Sequence, residues 1–292
     1  MERTAGDDLA VVGPWAREKL DALGEYLKYY TTRLSNQRWK TIYIDAFAGG
    51  GLARVRTHHG APAPPLFPGE LPIEEAQYIA GSPRVALQVA RPFDSYIFIE
   101  QDPARVQDLR ALRAEHPDRR ITVREDNADA GIAWALGFQP SRRSHRGVAF
   151  LDPFGAHLSW STVRALAETR LFEVIVNFPL DMCLNRLVTR DPASMRESWK
   201  AQLDAFLPPG WFDVVYGAQS GLFGERMWKR LDARTRLLSW YHEHLREAFG
   251  FASDARLISN TQGAPLYHLI WAGPHPAGLV GAQHIMKLGR QG

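Results

Sequence analysis

Cysteine is nearly absent: Cys183 is the single one in 292 residues. One thiol forms no intrachain disulfide and builds no cysteine-rich metal site, and it suits a reducing cytosol. No apolar run reaches the roughly 20 residues that span a bilayer, and the polar start MERTAGDD is not that of a signal peptide. The chain is therefore read as cytoplasmic, with no membrane partner. Charge of one sign is also lacking. Lys+Arg number 35 against 32 Asp+Glu, a formal net charge of +3, which permits a nucleic-acid partner without requiring one. Arginine greatly outnumbers lysine, as G+C-rich coding also produces, so the arginine content alone says little. The histidines show no metal-ligand spacing. His242 and His244, two residues apart, do not share a helix face, and no metal is expected.

What is present reads as strands alternating with helices. Residues 15–34 carry apolar side chains at helical spacing. Short apolar runs follow at residues 41–44, 96–99, 121–123, 147–151 and 172–176. Between them lie helical patterns: one from Ser82 as N-cap with Pro83 at its first turn and Val89 and Ala90 in its body, then residues 103–116, 128–136 and 161–169. That alternation predicts a doubly wound, Rossmann-like, mostly parallel α/β sheet. The end differs: a long helix over residues 230–249, then two strands at 256–258 and 266–271 with no helix between them, predict a late antiparallel hairpin. The whole is read as a single domain over residues 1–292 with two additions. Residues 52–80, rich in Pro, Gly and His, form an inserted loop with no packed element, and residues 180–230 a helical insertion on the substrate side.

Ligands of open α/β sheets bind beyond the carboxyl ends of the strands. Here five strand ends carry polar residues: Asp45, Glu100, Asp126 with Asn127, Asp152 and Asn177. One such residue is an ordinary turn former or helix cap; five in succession point to a ligand crevice. After Asp45 the chain continues Ala-Phe47-Ala-Gly49-Gly-Gly51. Glycines let backbone approach a ligand closely. The run is neither the G-x-G-x-x-G of dinucleotide enzymes nor a P-loop, which ends in Gly-Lys-Ser/Thr. A carboxylate ahead of the glycines repels phosphate and attracts hydroxyls or ammonium. The ligand suggested is a nucleoside with a positive centre and no phosphate, S-adenosylmethionine.

These residues resemble a known set. Asp45-Ala-Phe47-Ala-Gly49-Gly-Gly51 resembles the first motif, D-x-F-x-G-x-G, of class I methyltransferases. The resemblance implies cofactor contacts for Asp45, Phe47, Gly49 and Gly51, for Glu100 on the ribose hydroxyls and for Asp126-Asn127 on the adenine amino group. Asp152-Pro153-Phe154 resembles the D-P-P-Y/F motif of amino-methyltransferases that act on nucleobases, with one proline instead of two. More narrowly, W-x-x-x-K-L, YIDAFAGGG, GSPRVAL, FIEQDP, LDPFG and PLYHLIWA together resemble the three-Cys-motif partner (TcmP) family over roughly residues 15–288. That likeness implies a methyltransferase-like protein associated with a radical-SAM-type protein bearing three cysteines. One departure is spacing. Asp45 and Glu100 are 55 residues apart, against about 20 in a plain dinucleotide-binding unit, and the 52–80 insertion accounts for the excess.

An exocyclic amine attacks through a lone pair delocalised into its ring, and an acceptor beside the nitrogen localises that pair. The D-P-P-Y/F resemblance implies this role for Asp152 and for a carbonyl fixed by Pro153, with Phe154 stacked on the base. The alternative is a plain strand-to-loop turn with Phe154 in the core. Asn177 both accepts and donates, so it serves equally as a substrate contact or a strand cap. The expected function is methyl transfer from S-adenosylmethionine to a nitrogen of a nucleobase or related heterocycle. Alternatives are a small-molecule N- or O-methyltransferase of a biosynthetic cluster and a non-catalytic methyltransferase-like partner.

Overall fold

A computed structural model describes residues 10–12, 15–55, 78–138, 140–221 and 224–288. Its centre is an eight-stranded sheet. In chain order its main strands are β1 (Lys40–Asp45), β2 (Ser95–Glu100), β3 (Ile121–Glu125), β4 (His145–Leu151), β5 (Phe172–Phe178), β6 (Arg256–Ser259) and β7 (Pro265–Gly273). The spatial order is β6-β7-β5-β4-β1-β2-β3, with the two-residue strand Phe251–Ala252 also on the outer side of β7. β1 to β5 run parallel and β7 runs antiparallel beside β5. This is the strand order of the class I methyltransferase-like Rossmann fold, with the chain reversing its direction of travel across the sheet at β1.

Both faces of the sheet are covered, which is why β5 is buried at all seven positions and shows no polar alternation. Tyr43, Tyr96, Phe98, Val148 and Phe150 face one way. They meet helices α1 (Trp15–Leu34), α2 (Ser82–Leu87), α3 (Pro103–Glu115) and α8 (Pro276–Leu288). Ile42, Ile44, Ala149, Leu151, Val174 and Val176 face the other way. Helices α4 (Ala128–Gly137), α5 (Trp160–Glu168), α6 (Glu197–Phe206) and α7 (Ala233–Phe249) cover them. No helix among the described residues is long and apolar enough to cross a membrane.

Four details depart from the sequence reading. Helix α8 was not anticipated, because Gly278 and Gly281 lower its propensity. Gly281 is needed for close packing: a Cβ there would sit 2.2 Å from the Tyr29 ring on α1. Helix α2 ends at Leu87, short of Val89 and Ala90, and its N-cap is Gly81 rather than Ser82. The Ser82 hydroxyl is engaged elsewhere, on Asp45. The insertion is not a bare loop, since Leu52–Val55 and Tyr78–Ala80 pair antiparallel and Ala10–Val12 adds to the former. Strands of three or four residues are too short to register as a pattern, and residues 56–77 lie outside the described residues. Finally, residues 180–230 contain, besides short helices, an antiparallel ribbon of Tyr216–Gly221 with Gly224–Lys229.

Candidate active site

The carboxyl ends of β1 to β5 converge on one side of the sheet. After β1 the chain turns through Gly49 and Gly51, with φ of 62° and 79°. This region admits glycine readily and other residues rarely. The turn brings the Gly49 N–H to Oε2 of Glu100 at the end of β2, at 2.9 Å. The other oxygen, Oε1, accepts the N–H groups of Gln101 and Asp102, both at 2.9 Å. Three backbone donors thus fix a carboxylate that is only 7% exposed. Beside it lies a cleft of about 350 Å³, lined among others by Phe47, Glu100, Arg105, Asp126, Asn127 and Phe154. The glycine turn, the ends of β2 and β3 and the loop after β4 therefore meet at one opening.

Asp45 occupies a different position from the one its motif suggested. It has no exposed surface and lies beneath the turn. Its Oδ1 accepts the Phe47 N–H at 3.4 Å and its Oδ2 the Tyr43 hydroxyl at 3.3 Å, with the Ser82 hydroxyl as a further donor. Burial pushes its carboxyl up to about 7; the three donors pull it down, and nearby Asp152 adds to the rise. In this position Asp45 shapes the glycine turn instead of facing the cleft. The Gly51 carbonyl accepts the Gly81 N–H at 2.9 Å. At the cleft's far side Asp126 is ion-paired with Arg124, whose guanidinium lies 4.5 Å from the Trp134 ring centre. Asn127 caps α4, accepting the Ala130 N–H at 2.9 Å.

The loop after β4 holds the second group. Phe154 is 61% exposed and borders the cleft, so it is not a core residue; Pro153 beside it is buried. Asp152 is fully engaged. Lys19 Nζ lies 2.5 Å from its Oδ2, and Asn177 Nδ2 donates to its Oδ1 at 2.7 Å. A carboxylate only accepts, so this contact fixes which end of Asn177 points to Asp152. It leaves Asn177 Oδ1 buried with no partner; Asn177 is 1% exposed, and neither it nor Asp152 is among the residues that line the cleft. The Lys19 ammonium also stands over the Tyr267 ring, 5.6 Å from its centre, and the Tyr267 hydroxyl accepts the Trp15 indole N–H at 2.9 Å.

Lys19 is the lysine of the W-x-x-x-K-L run, and the strand-end pattern does not single it out. A signal was present: it falls on the buried stripe of α1 with Ala16, Leu23 and Tyr26, and lysine is seldom buried unpaired. Arg105 and His157, which also line the cleft, carry no sequence signal of this kind. Among the described residues no group of three or more His, Cys, Asp or Glu could hold a metal ion.

No protein-family model matches the chain, and no curated protein matches its sequence. Solved structures do. A Legionella pneumophila protein is 13% identical over 92% of this chain and 91% of its own, with a TM-score of 0.48. An Escherichia coli protein described as a methyltransferase is 13% identical over 86% of each chain, with a TM-score of 0.35. A Listeria monocytogenes protein described as an S-adenosylmethionine-dependent methyltransferase is 9% identical over 86% of this chain and 98% of its own, with a TM-score of 0.40. All three TM-scores fall below 0.5, so the fold class rests on the strand order and helix placement above.

Proposed function

We propose that the chain is an S-adenosylmethionine-dependent methyltransferase acting on a nitrogen of a nucleobase or related heterocycle. The observation that carries this is the Glu100 carboxylate, held by three backbone N–H groups at the edge of a cleft shared with Phe47, Asp126 and Phe154. These acceptors suit the nucleoside half of the cofactor. Glu100 accepts from ribose hydroxyls, Asp126 accepts from the adenine amino group, and Phe47, Ile99 and Ala128 supply apolar walls. When bound, the cofactor supplies an electrophilic methyl group on a sulfonium.

The chain's own residues would do the rest. Phe154 offers an exposed ring on which a base stacks. Asn177 Oδ1 accepts an N–H of the target amine, and Asp152 holds Asn177 in that orientation. Lys19 keeps the Asp152 charge paired while the site is open to water. A second reading gains from Lys19: an ammonium at this position suits an acceptor that carries negative charge, such as a carboxylate or phenolate of a small molecule. The TcmP resemblance adds a radical-SAM-type protein with three cysteines as proposed partner. Calorimetry with S-adenosylmethionine and S-adenosylhomocysteine, followed by labelled methyl transfer to nucleic-acid and metabolite pools, tests the proposal. Binding of neither compound ends it; label in the metabolite pool alone selects the second reading.

A further inference from the structure

A larger cavity, about 1160 Å³, lies at the opposite edge of the sheet, where β4 and β5 begin. Along β4, Arg146 and Asp152 are six residues apart, which at about 3.3 Å per residue separates this cavity from the methyl-transfer site by roughly 20 Å. Arg33, Arg38, Arg142, Arg143 and Arg170 line it, and all five are exposed. Among the described residues none of them is ion-paired with a carboxylate. Some arginines elsewhere are paired, as in Arg84–Glu115, Arg234–Asp181 and Arg256–Glu18; what distinguishes these five is that they line one concavity. Burial, and Arg142 as well, hold the Arg146 guanidinium below its ordinary value. Among the described residues Glu173 is the one carboxylate in the lining; it is buried and stands against six arginines, and positive groups crowded in a concavity focus an attractive field for an anion.

The cavity has more than charge. Arg146 stacks on Trp39 at 4.0 Å and donates to the His145 carbonyl at 2.7 Å, which makes one wall a fixed planar surface. Tyr30 also lines the cavity; it is 5% exposed and its hydroxyl is buried with no hydrogen-bond partner. A buried hydroxyl without a partner costs free energy, and a ligand group bonded to it removes that cost. Guanidinium forks bind phosphate oxygens bidentately, and flat aromatic and guanidinium walls suit a base.

We propose that this cavity binds phosphorylated nucleosides, with the five arginines on phosphate and the Tyr30 hydroxyl bonded to the inserted nucleoside. The source is either a free nucleotide or a single strand whose backbone crosses the cavity. The proposal does not depend on methyl transfer, and cofactor affinity at the Glu100 cleft is measured separately on the same preparations.

The test uses the full chain, a fluorescein-labelled 20-nucleotide single-stranded RNA of mixed sequence, and ATP as competitor. The variants are the Arg142→Ala/Arg143→Ala pair, Arg38→Ala and Tyr30→Phe. Arg164→Ala, which removes an exposed arginine paired with Glu168, is the control. The double variant should lose affinity about 10-fold, and its log–log salt slope should flatten by between about 1 and 2. Tyr30→Phe should weaken binding several-fold without a change of slope. Cofactor affinity should be unchanged throughout. Competition by ATP at sub-millimolar concentration identifies a free-nucleotide site; strand binding resistant to ATP identifies a strand site. Absence of binding to both probes at 50 mM salt overturns the proposal, and so does a loss in Arg164→Ala equal to that in the double variant.

Discussion

Lys19 Nζ and Asp152 Oδ2 stand 2.5 Å apart, joining the first helix to the loop after β4 across 133 residues of sequence. Both side chains are largely buried, at 11% and 16% exposure. A helix that precedes the whole sheet in sequence is thus tied to the loop after β4. The Asp152 charge is already compensated before any substrate arrives.

That pairing predicts coupled stabilities. Lys19→Met leaves a largely buried carboxylate with only Asn177 to donate to it, and should lower stability by about 2 kcal/mol. Asp152→Asn alone strands the ammonium and should also destabilise. Combining the two removes both charges, so the double variant should be more stable than the sum of the single losses implies, by about 1–3 kcal/mol. Urea denaturation of the four proteins measures the coupling energy. A value near zero would mean that the contact contributes nothing in solution.

Glu100→Ala removes the cleft's best-held acceptor. Hydrogen bonds to a charged group contribute about 1.5–3 kcal/mol each, so losing a ribose contact should weaken S-adenosylhomocysteine binding by at least about 10-fold. The same change frees the Gly49, Gln101 and Asp102 N–H groups, and a modest fall in melting temperature should accompany it. Glu100→Gln keeps the size and still accepts, so it should fall between. Calorimetry showing all three proteins with equal affinity would remove Glu100 from the cofactor site.

The sheet was legible because β1, β4 and β5 are buried on both faces and read as unbroken apolar runs, and because the chain ends each with a polar residue. The site was legible only in part. Glu100, Asp126, Asn127 and Phe154 do border one cleft. Asp45 carries the same strand-end signal but sits under the turn, since a strand-end carboxylate in sequence does not reveal whether it points outward or down. Lys19 and Ser82 reach the site from separate helices, and such contacts depend on how helices pack over the sheet, which local pattern does not encode. Helix α8 was hidden by its own packing requirement, a glycine set against Tyr29.

Stability should change with pH in opposing directions at different groups. Burial raises the carboxyls of Asp45 and Glu173 to about 7 in the folded chain, against ordinary values of 3.8 and 4.5. Between those limits the folded chain holds protons that the unfolded chain has released, so each contribution makes stability fall as pH rises towards 7 and flattens above it. His268 acts oppositely. Burial lowers it to about 4 from 6.5, so its contribution is present above pH 6.5 and is lost as pH falls towards 4. The Tyr26 hydroxyl and the Trp271 indole both donate to Oε2 of Glu173; Glu173→Gln deletes one falling contribution while keeping one oxygen that accepts from both. Relative to the parent, this variant should gain stability steadily from about pH 4.5 to 7, by up to about 1.4 kcal/mol per pH unit, then run parallel. Denaturation midpoints at half-unit steps measure it, and parallel curves throughout would show that Glu173 titrates normally.

The reaction itself is tested at Asn177 and Phe154, which should fail in different ways. Asn177→Ala removes the buried, unpartnered Oδ1 acceptor, which the proposed mechanism makes a preorganised partner for the positive charge that develops on an attacking nitrogen. Loss of one such partner costs on the order of 10²–10³ in rate, so kcat should collapse while cofactor affinity holds. Asp152→Asn is nearly isosteric, but its amide can turn a donor toward Asn177, so the acceptor is misaligned and turnover should also fall, with some loss of stability from the broken Lys19 pair. Phe154→Ala is cleaner. The ring is 61% exposed, so its removal should leave the melting temperature within about a degree. A lost base stack of about 1–3 kcal/mol should raise KM by roughly 5- to 150-fold with kcat little changed. Melting temperature, cofactor binding and methyl transfer are measured on one preparation of each variant, with rates normalised to folded protein. If Phe154→Ala melts early and its activity falls only as folded protein falls, the ring supports the loop and stacks on nothing. If Asn177→Ala and Asp152→Asn both turn over at the parent rate, the amine-orienting mechanism is wrong, even with the fold and the cofactor cleft intact.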